Sequence, residues 1–308
     1  PFKDLYDSGK LAVVQGVGYQ GMNRSHFKSK QNWWEGSGGS EQYPSGWLAR
    51  FFEDRYPSYE GVPFPNESDP LGMLLGNGVD TGFHTLAEHS FHISMSGQDE
   101  NGFFSIISSL TGEPIPNIPN THHGDMLQFL ENMAASLNLY SGRVQQTFNA
   151  GTNDGNAAYP NSTLGNQLKT VAKLLSGGSR TKVFMMKKGG FDNHGGLVNI
   201  GNTTTGKHAD LLNDTFTSIK AFQDDLTAQG LDDNVLTYVW SEFGRKVVQN
   251  GSSGCDHGAL SSVFLIGKGI EAGVVGNNMD LTNLSNGAPA ESQLQNSYRQ
   301  IYSTILQD

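Results

Sequence analysis

The sequence predicts an α/β protein in which helices flank a mostly parallel sheet. Through the second half of the chain, short apolar runs typical of buried strands alternate with segments whose apolar residues recur at helical spacing. The 308 residues, 36% of them apolar, are also enough to build a sizeable core. We therefore expect a single α/β domain over residues 1–308.

The first predicted elements lie near the start of the chain. Residues 11–17 are a strand candidate, and a glycine-punctuated loop leads from them into a short helix over residues 25–34. Residues 56–121 are rich in Pro, Gly, Asn and Ser and contain only short apolar runs. We interpret that stretch as an irregular, loop-rich insertion in the domain.

The second half carries the alternation. Its predicted elements are a helix over residues 164–175, a buried strand over residues 182–186, a long amphipathic helix from about His208 that Gly230 ends, and strands over residues 235–240 and 262–266. Because helical crossovers join parallel strands, this order favours a parallel sheet.

Charge and composition exclude several classes of protein. Asp and Glu number 30 against 20 Lys and Arg, and this net charge of -10, without a basic run, argues against a nucleic-acid partner. No stretch reaches the about 18 to 20 apolar residues of a membrane span, and the first residues lack the apolar core of a signal peptide. We expect a chain without a membrane span whose targeting segment has already been removed.

Cysteine use and overall composition bear on the compartment. The single cysteine, Cys255, excludes an internal disulfide and a multi-cysteine zinc site. The abundance of Gly, Asn and Ser suits a periplasmic, secreted or cell-surface protein. The sequence leaves the oligomeric state open.

Polar residues cluster in loops at the ends of the predicted strands, where open α/β sheets bind their ligands. They are Asn23, Arg24, Ser25 and His26 after the first strand, Asp192 and His194 after residues 182–186, Glu242 and Arg245 after residues 235–240, and Asp256 and His257 before residues 262–266.

Imidazoles and carboxylates that converge at one sheet edge predict a divalent-cation site. Nitrogen and oxygen donors without a thiolate set suit Zn²⁺ or Mn²⁺ best, with Ca²⁺ as a further candidate. The candidate ligands are Asp192, His194, Glu242, Asp256 and His257. Each pair alone is also consistent with a hydrogen-bonded turn, and Glu242 with Arg245 is also consistent with a salt bridge, so the prediction depends on the joint placement.

Ser25 is the candidate nucleophile. If a helix begins there, its hydroxyl and the free backbone N–H groups point at one place, an anion site with Arg24 beside it, and Arg245 is a second cation for anionic oxygens. The alternative is that Ser25 only caps the helix. Asn23, His26 and His208 are further candidates, and for His208 a capping or packing role is the alternative.

Several stretches together resemble the bacterial family called domain of unknown function 1501. They are LAVVQGVGYQGMNRSHFKSKQNWWEGS, GWLARFF, HADLL, SEFGRKVVQNGSSGCDHG and SVFLIGKG, in order over nearly the whole chain. That family is related to the alkaline phosphatase, sulfatase and cofactor-independent phosphoglycerate mutase superfamily. The resemblance therefore implies an alkaline phosphatase-like, doubly wound sheet and, in most members, two divalent metals.

The resemblance also implies roles for individual residues. Asp192 and His194 in FDNH match ligands of the first metal, His257 matches a later ligand, and Ser25 falls where the nucleophile is expected. In SEFG, Glu242 replaces an aspartate of the pattern Ser-Asp-His-Gly, but Phe243 replaces its histidine and cannot bind a metal. An earlier strand ending in a Gly-Gly-x-Asp-Gly type loop is expected to precede this chain, so these 308 residues are not expected to complete a two-metal site.

Two functions follow as expectations. The first is a metal-dependent hydrolase of phosphate or sulfate esters, acting outside the cytoplasm on a small anionic ester. The second is a non-catalytic cell-surface or assembly protein that keeps the fold with a degenerate or structural metal site. A catalytic site needs an open coordination position, whereas protein ligands close a structural site.

Overall fold

The structure is a computed structural model that describes residues 1–57, 67–76, 80–86, 90–95 and 117–307. These residues form a mixed α/β protein, as the sequence predicts. They divide into two compact units, unit 1 with Pro1–Gln42 and Lys188–Asp308, and unit 2 with Tyr43–Lys187. The predicted insertion falls within unit 2, and much of it lies outside the described residues. That the whole chain acts as one domain stays a prediction.

The helices of the described residues are α1 (Phe2–Asp7), α2 (His26–Glu35), α3 (Trp47–Arg55), α4 (His122–Ala150), α5 (Thr163–Ser176), α6 (Lys207–Ala228) and α7 (Tyr298–Gln307). Within this part of the chain, none of the helices has the length and apolar character needed to cross a membrane.

The strands are β1 (Leu11–Gly18), β2 (Gly72–Leu75), β3 (His92–Met95), β4 (Val183–Met186), β5 (Thr237–Val239), β6 (Arg245–Gln249), β7 (Cys255–His257), β8 (Ser261–Ile266), β9 (Gly273–Val275), β10 (Leu284–Ser285), β11 (Ala288–Pro289) and β12 (Asn296–Ser297).

The main sheet of unit 1 is mixed rather than mostly parallel. Its central strand β1 pairs in parallel with β9 and β12 along one edge and antiparallel with β8 along the other, and β5 pairs antiparallel with the far side of β8. The chain reaches β8 through the short antiparallel hairpin β6–β7 and not through a helical crossover. This connection explains why β8 runs against its neighbours.

The direction of β8 decides where the polar loops meet. Val17 of β1 pairs with Ser261, the first residue of β8, and Val239 at the end of β5 pairs with Phe264. The segment before β8 therefore lies at the same sheet edge as the loops that follow β1 and β5. Those three segments contain His257, His26 and Glu242.

A buried aromatic stack fixes α2 within unit 1. Trp33 is fully buried, stacks on Trp240 with ring centroids 4.7 Å apart, and stacks on Tyr298 of α7 at 4.4 Å. Its indole N–H donates a hydrogen bond to the carbonyl of Glu242 at 3.2 Å. The helix α2 is thereby held close to the loop after β5.

Unit 2 contains a parallel three-stranded sheet in the order β3-β2-β4. Its core includes Leu48, Phe52 and Phe83, all buried. A Cβ on Gly72 of the central strand would lie 2.5 Å from the Phe83 ring, so only glycine allows this close approach. Parallel pairing is thus found in this sheet, but β2 and β3 lie in residues 56–121, which the sequence predicts to be irregular.

Candidate metal centre

Four segments of unit 1 bring imidazole and carboxylate groups together. Three of them are the loops after β1 and β5 and the segment before β8. The fourth is the loop carrying Asp192 and His194, which is attached to the hairpin β6–β7. The backbone N–H of Cys255 donates to the carbonyl of Asn193 at 3.1 Å, and Arg245 donates to the carbonyl of Phe191 at 3.2 Å. Residues separated by more than 200 positions thus share one surface.

Two imidazole nitrogens and one carboxylate oxygen form a tight triangle. The Nε2 atoms of His194 and His257 lie 3.0 and 3.1 Å from Oδ1 of Asp192. The two Nε2 atoms lie 2.9 Å from each other. Donor atoms around a tetrahedral Zn²⁺ with bonds of about 2.0 to 2.1 Å are about 3.3 Å apart, so the triangle is close to the size that such an ion requires.

His26 adds a third imidazole on the other carboxylate oxygen. Its Nε2 lies 3.4 Å from Oδ2 of Asp192. Donor atoms of His26, Asp192 and His257 all fall within 4.8 Å of one another. The sequence indicated His26 as a candidate without assigning it a ligand role, and the structure places it beside the predicted ligands.

The outer nitrogen of each imidazole contacts an acceptor. Nδ1 of His26 lies 2.6 Å from Oε1 of Glu242, and Nδ1 of His194 lies 3.0 Å from Oδ1 of Asp256. Nδ1 of His257 lies 2.7 Å from the carbonyl oxygen of Arg24. Since a carbonyl or ionised carboxylate only accepts, each Nδ1 carries the hydrogen, and in the neutral ring Nε2 carries a lone pair.

These lone pairs need a cation. The Nε2 atoms of His194 and His257 would repel each other at 2.9 Å unless a proton or a metal ion lay between them. Metal-binding histidines characteristically donate their second ring N–H to a carboxylate or a backbone carbonyl. The donor set and its hydrogen bonds therefore fit a divalent metal ion.

Asp192 is held in its ionised form. Partial burial raises the pKa of its carboxyl group, but the neighbouring groups, led by the hydrogen bond from Arg245, outweigh burial and bring the pKa well below its usual range. Arg245 donates to Asp192 Oδ1 at 2.7 Å and also to the carbonyls of Phe191 and Cys255. All three contacts of this guanidinium are within the protein, so it fixes the Asp192 loop.

Asp256 and Glu242 lie behind two of the imidazoles. Asn250 donates to Asp256 Oδ1 and to the carbonyl of His194, both at 2.9 Å. These hydrogen bonds, first that of Asn250 and then that of His194, lower the pKa of Asp256. Glu242 has Lys30 Nζ 3.7 Å away. Both carboxylates contact the outer side of the imidazole rings.

Phe243 occupies the position at which the family resemblance leads one to expect a histidine ligand. Its side chain is 4% exposed, and its ring lies 4.9 Å from that of His26 and 4.5 Å from that of His257. The phenyl ring therefore packs against two imidazoles and restricts their orientation.

The loop after β1 places Ser25 at the N-terminus of α2. Ser25 occupies the N-cap position, but its side chain makes no capping hydrogen bond and is exposed. Its backbone N–H donates to Asn23 Oδ1 at 2.7 Å, and the neighbouring Arg24 carbonyl contacts His257. The hydroxyl is therefore not engaged in the capping role that the sequence offers as the alternative.

His208, at the start of α6, has a packing role. Among the described residues, it makes no contact with the atoms that converge at the centre. Its Nδ1 is buried without a hydrogen-bond partner, and its ring meets that of Phe191 edge-on at 6.0 Å. Burial, with a contribution from the charge of Arg245, lowers the pKa of His208. These observations agree with the packing alternative.

Asn250 and Gly254 are two residues of the site that sequence reasoning missed. Asn250 joins the His194 loop to Asp256, and a Cβ on Gly254 would lie only 2.3 Å from the backbone carbon of His194. The motif NGSSG signals a hairpin turn, but only the fold reveals that this turn lies against His194.

Comparison with known families gives one match. The family described as "Protein of unknown function (DUF1501)" matches residues 130–307, more than half of the chain, and this range includes every donor except His26. No curated protein and no solved structure matches the chain.

Proposed function

The chain belongs to the DUF1501 family of proteins of unknown function, and from this premise we propose that it is a metal-dependent hydrolase of phosphate or sulfate esters. One observation carries the proposal. The Nε2 atoms of His26, His194 and His257 converge on the carboxylate of Asp192, while each Nδ1 is hydrogen-bonded on the outer side. Such a donor set suits a divalent ion.

The exposure of the donors favours a hydrolase over a structural metal site. The side chains of Asp192 and His194 are 50% and 46% exposed. A substrate oxygen can therefore approach the position where the donors converge. A structural site is closed by its protein ligands, so this openness supports the first of the two functions expected from the sequence.

The residues around the donors have separate roles in this proposal. A divalent ion held by them would polarise an ester oxygen and lower the pKa of a nearby hydroxyl. Ser25 is the nucleophile: its oxygen bonds to phosphorus or sulfur as the bond to the alcohol oxygen breaks, the Ser25 proton passes through solvent to that alcohol, and water then hydrolyses the ester formed on Ser25. Arg24 binds the oxygens of the transferred group. Arg245 keeps Asp192 ionised and in place instead of binding substrate.

The remaining expectations belong to the same proposal. We propose an alkaline phosphatase-like, doubly wound fold, which is supported by the parallel strands β2, β3 and β4 and by the common direction of β1 and β5. The antiparallel β8 is a departure from that pattern. A periplasmic, secreted or cell-surface location rests on the composition, with 39 glycines in the chain.

Ester hydrolysis tests the proposal. We expect the wild-type chain, supplied with Zn²⁺ or Mn²⁺, to hydrolyse p-nitrophenyl phosphate or p-nitrophenyl sulfate, and Ser25→Ala to lower kcat roughly 100-fold or more while it still binds the metal. The matched control is Ser303→Ala, an exposed serine on α7, which should keep the wild-type rate. Absence of hydrolysis of both esters by the metal-loaded wild type would contradict the hydrolase.

A further inference from the structure

We infer that the residues of this chain hold one divalent ion of the Zn²⁺ type, and that Glu242 and Asp256 position two of its imidazole ligands without binding the ion. The inference rests on the metal centre of the proposed function and deepens it. It departs from the two-metal arrangement that the family resemblance implies.

The oxygens of Glu242 and Asp256 already have partners in the protein. In Glu242, Oε1 contacts His26 Nδ1 and lies 3.7 Å from Lys30, and Oε2 accepts from Ser241 at 3.4 Å. In Asp256, Oδ1 contacts His194 Nδ1 and Asn250, and Oδ2 lies 3.9 Å from Lys246. Both carboxylates are thus on the side of the rings away from the Nε2 atoms.

Among the described residues, a second ion would lack ligands of its own. Asp192 is the carboxylate whose two oxygens face the Nε2 atoms, and it is shared by all three imidazoles. Phe243 fills the place of a further histidine with an apolar ring. In the part of the chain that the structure describes, the His, Cys, Asp and Glu donor atoms that converge in groups of three or more are those of this centre: His26, Asp192 and His257, together with His194.

The donor types select the kind of ion. Three imidazole nitrogens and one carboxylate suit Zn²⁺ and its transition-metal neighbours, and such an ion can still take a substrate oxygen as a fifth ligand. Ca²⁺ takes six to eight oxygen ligands, and Mg²⁺ also prefers oxygen. The geometry therefore argues against Ca²⁺, which the sequence left as a candidate.

The outer carboxylates have a measurable role. A hydrogen bond from Nδ1 to a carboxylate fixes the imidazole tautomer and orientation and makes Nε2 a stronger donor. Loss of such a partner typically weakens metal binding about 10- to 100-fold, whereas a direct ligand contributes far more. The two kinds of residue can therefore be told apart by affinity.

Metal stoichiometry is the first test. The wild-type chain is stripped with a chelator, loaded with Zn²⁺, desalted and measured by native mass spectrometry. We expect one Zn²⁺ per chain, not displaced by a thousandfold excess of Ca²⁺. Two ions per chain, or displacement by Ca²⁺, would overturn the inference but leave the hydrolase standing. Absence of bound Zn²⁺ would overturn both.

Affinity of matched variants is the second test. Glu242→Gln and Asp256→Asn should weaken Zn²⁺ binding about 10- to 100-fold and keep the one-to-one stoichiometry. Their Co²⁺ complexes should keep the absorption bands of wild type because the nitrogen donors are unchanged. Asp192→Ala should bind no Zn²⁺.

The controls remove carboxylates that form ion pairs far from the donors. Glu41→Gln breaks a pair with Arg299, and Asp233→Asn breaks a pair with Lys268; both should bind Zn²⁺ like wild type. Complete loss of binding in Glu242→Gln or Asp256→Asn would make that residue a ligand. A Zn²⁺ affinity of either variant equal to that of the controls would show that the substituted carboxylate does not position its histidine. Either result overturns the inference.

Discussion

Gly254 illustrates how a single residue sets the spacing of the proposed metal donors. It lies at the end of the turn between β6 and β7, and its backbone approaches the His194 loop so closely that a Cβ would lie 2.3 Å from a backbone carbon. The contacts are to backbone, which cannot swing aside as a flexible side chain can. A larger residue must therefore displace His194 from His257 and Asp192.

Gly254→Ala is accordingly predicted to weaken Zn²⁺ binding by about tenfold or more, because His194 leaves the triangle of donors. The matched control is Gly251→Ala in the same turn, where a Cβ would meet no atom within 4 Å. Isothermal titration of both variants measures the effect. Equal affinities of the two variants would contradict the prediction.

Individual side chains of the site were predictable in type but not in role. Asp192, His194 and His257 follow or precede apolar runs, and this pattern was enough to select them from the sequence. Which nitrogen of each ring faces the metal position could not be predicted from the sequence. It depends on hydrogen-bond partners far along the chain, as Glu242 is from His26.

At the scale of elements, α2 is held by aromatic packing. Trp33 is fully buried between Trp240 and Tyr298 and donates to the carbonyl of Glu242. By contrast, Phe27 in the first turn of the same helix is 89% exposed. The helix, and with it His26, therefore depends on one face for its position.

Trp33→Ala is predicted to lower the free energy of unfolding by about 3 to 5 kcal/mol, since it removes a large buried ring. Phe27→Ala, the control on the exposed face, should change it by less than about 0.5 kcal/mol. Urea denaturation followed by circular dichroism measures both values. A loss for Trp33→Ala no larger than that for Phe27→Ala would show that the stack does not hold the helix.

Element positions were predicted better than their pairing. The predicted strands at residues 11–17 and 262–266 and the helix at residues 164–175 agree with β1, β8 and α5 to within one residue at each end. Apolar periodicity reports burial, which is local in sequence. The predicted parallel direction of β8 was wrong, because strand pairing depends on a hairpin that apolar periodicity does not reveal.

At the scale of the whole molecule, a buried histidine of unit 2 couples stability to pH. In unit 2, burial lowers the pKa of His92 from 6.5 to about 3, and the charges of His84 and Lys187 add to this effect. The folded state therefore keeps His92 neutral, whereas the unfolded chain binds a proton below its ordinary pKa. Its stabilising contribution is complete above about pH 6.5 and is lost as the pH falls toward 3.

His92→Gln is predicted to flatten the acid side of the stability profile. In the wild type, this histidine lowers the free energy of unfolding by up to about 1.4 kcal/mol for each unit that the pH falls between 6.5 and 3. The variant loses that slope, whereas His122→Gln, at a side chain that is 94% exposed, should keep it. Thermal melts across this range measure the slopes.

Comparison with the variant isolates His92 from other titrating groups. Burial raises the pKa of Asp80 in the same unit, so this carboxyl favours folding at acid pH and opposes the effect of His92. Asp80 is present in the wild type, in His92→Gln and in His122→Gln. Its contribution therefore cancels when their stability slopes are compared. A slope in His92→Gln equal to that of the wild type would contradict the assignment.

The position of the metal ion is the most direct test of the proposed centre. Crystals of the chain soaked in Zn²⁺ give an anomalous difference map at the zinc edge. We predict one peak per chain, about 2.0 to 2.2 Å from Nε2 of His194, Nε2 of His257 and a carboxylate oxygen of Asp192. No peak at these atoms, or a peak bound instead by Glu242 or Asp256, would contradict the proposed centre.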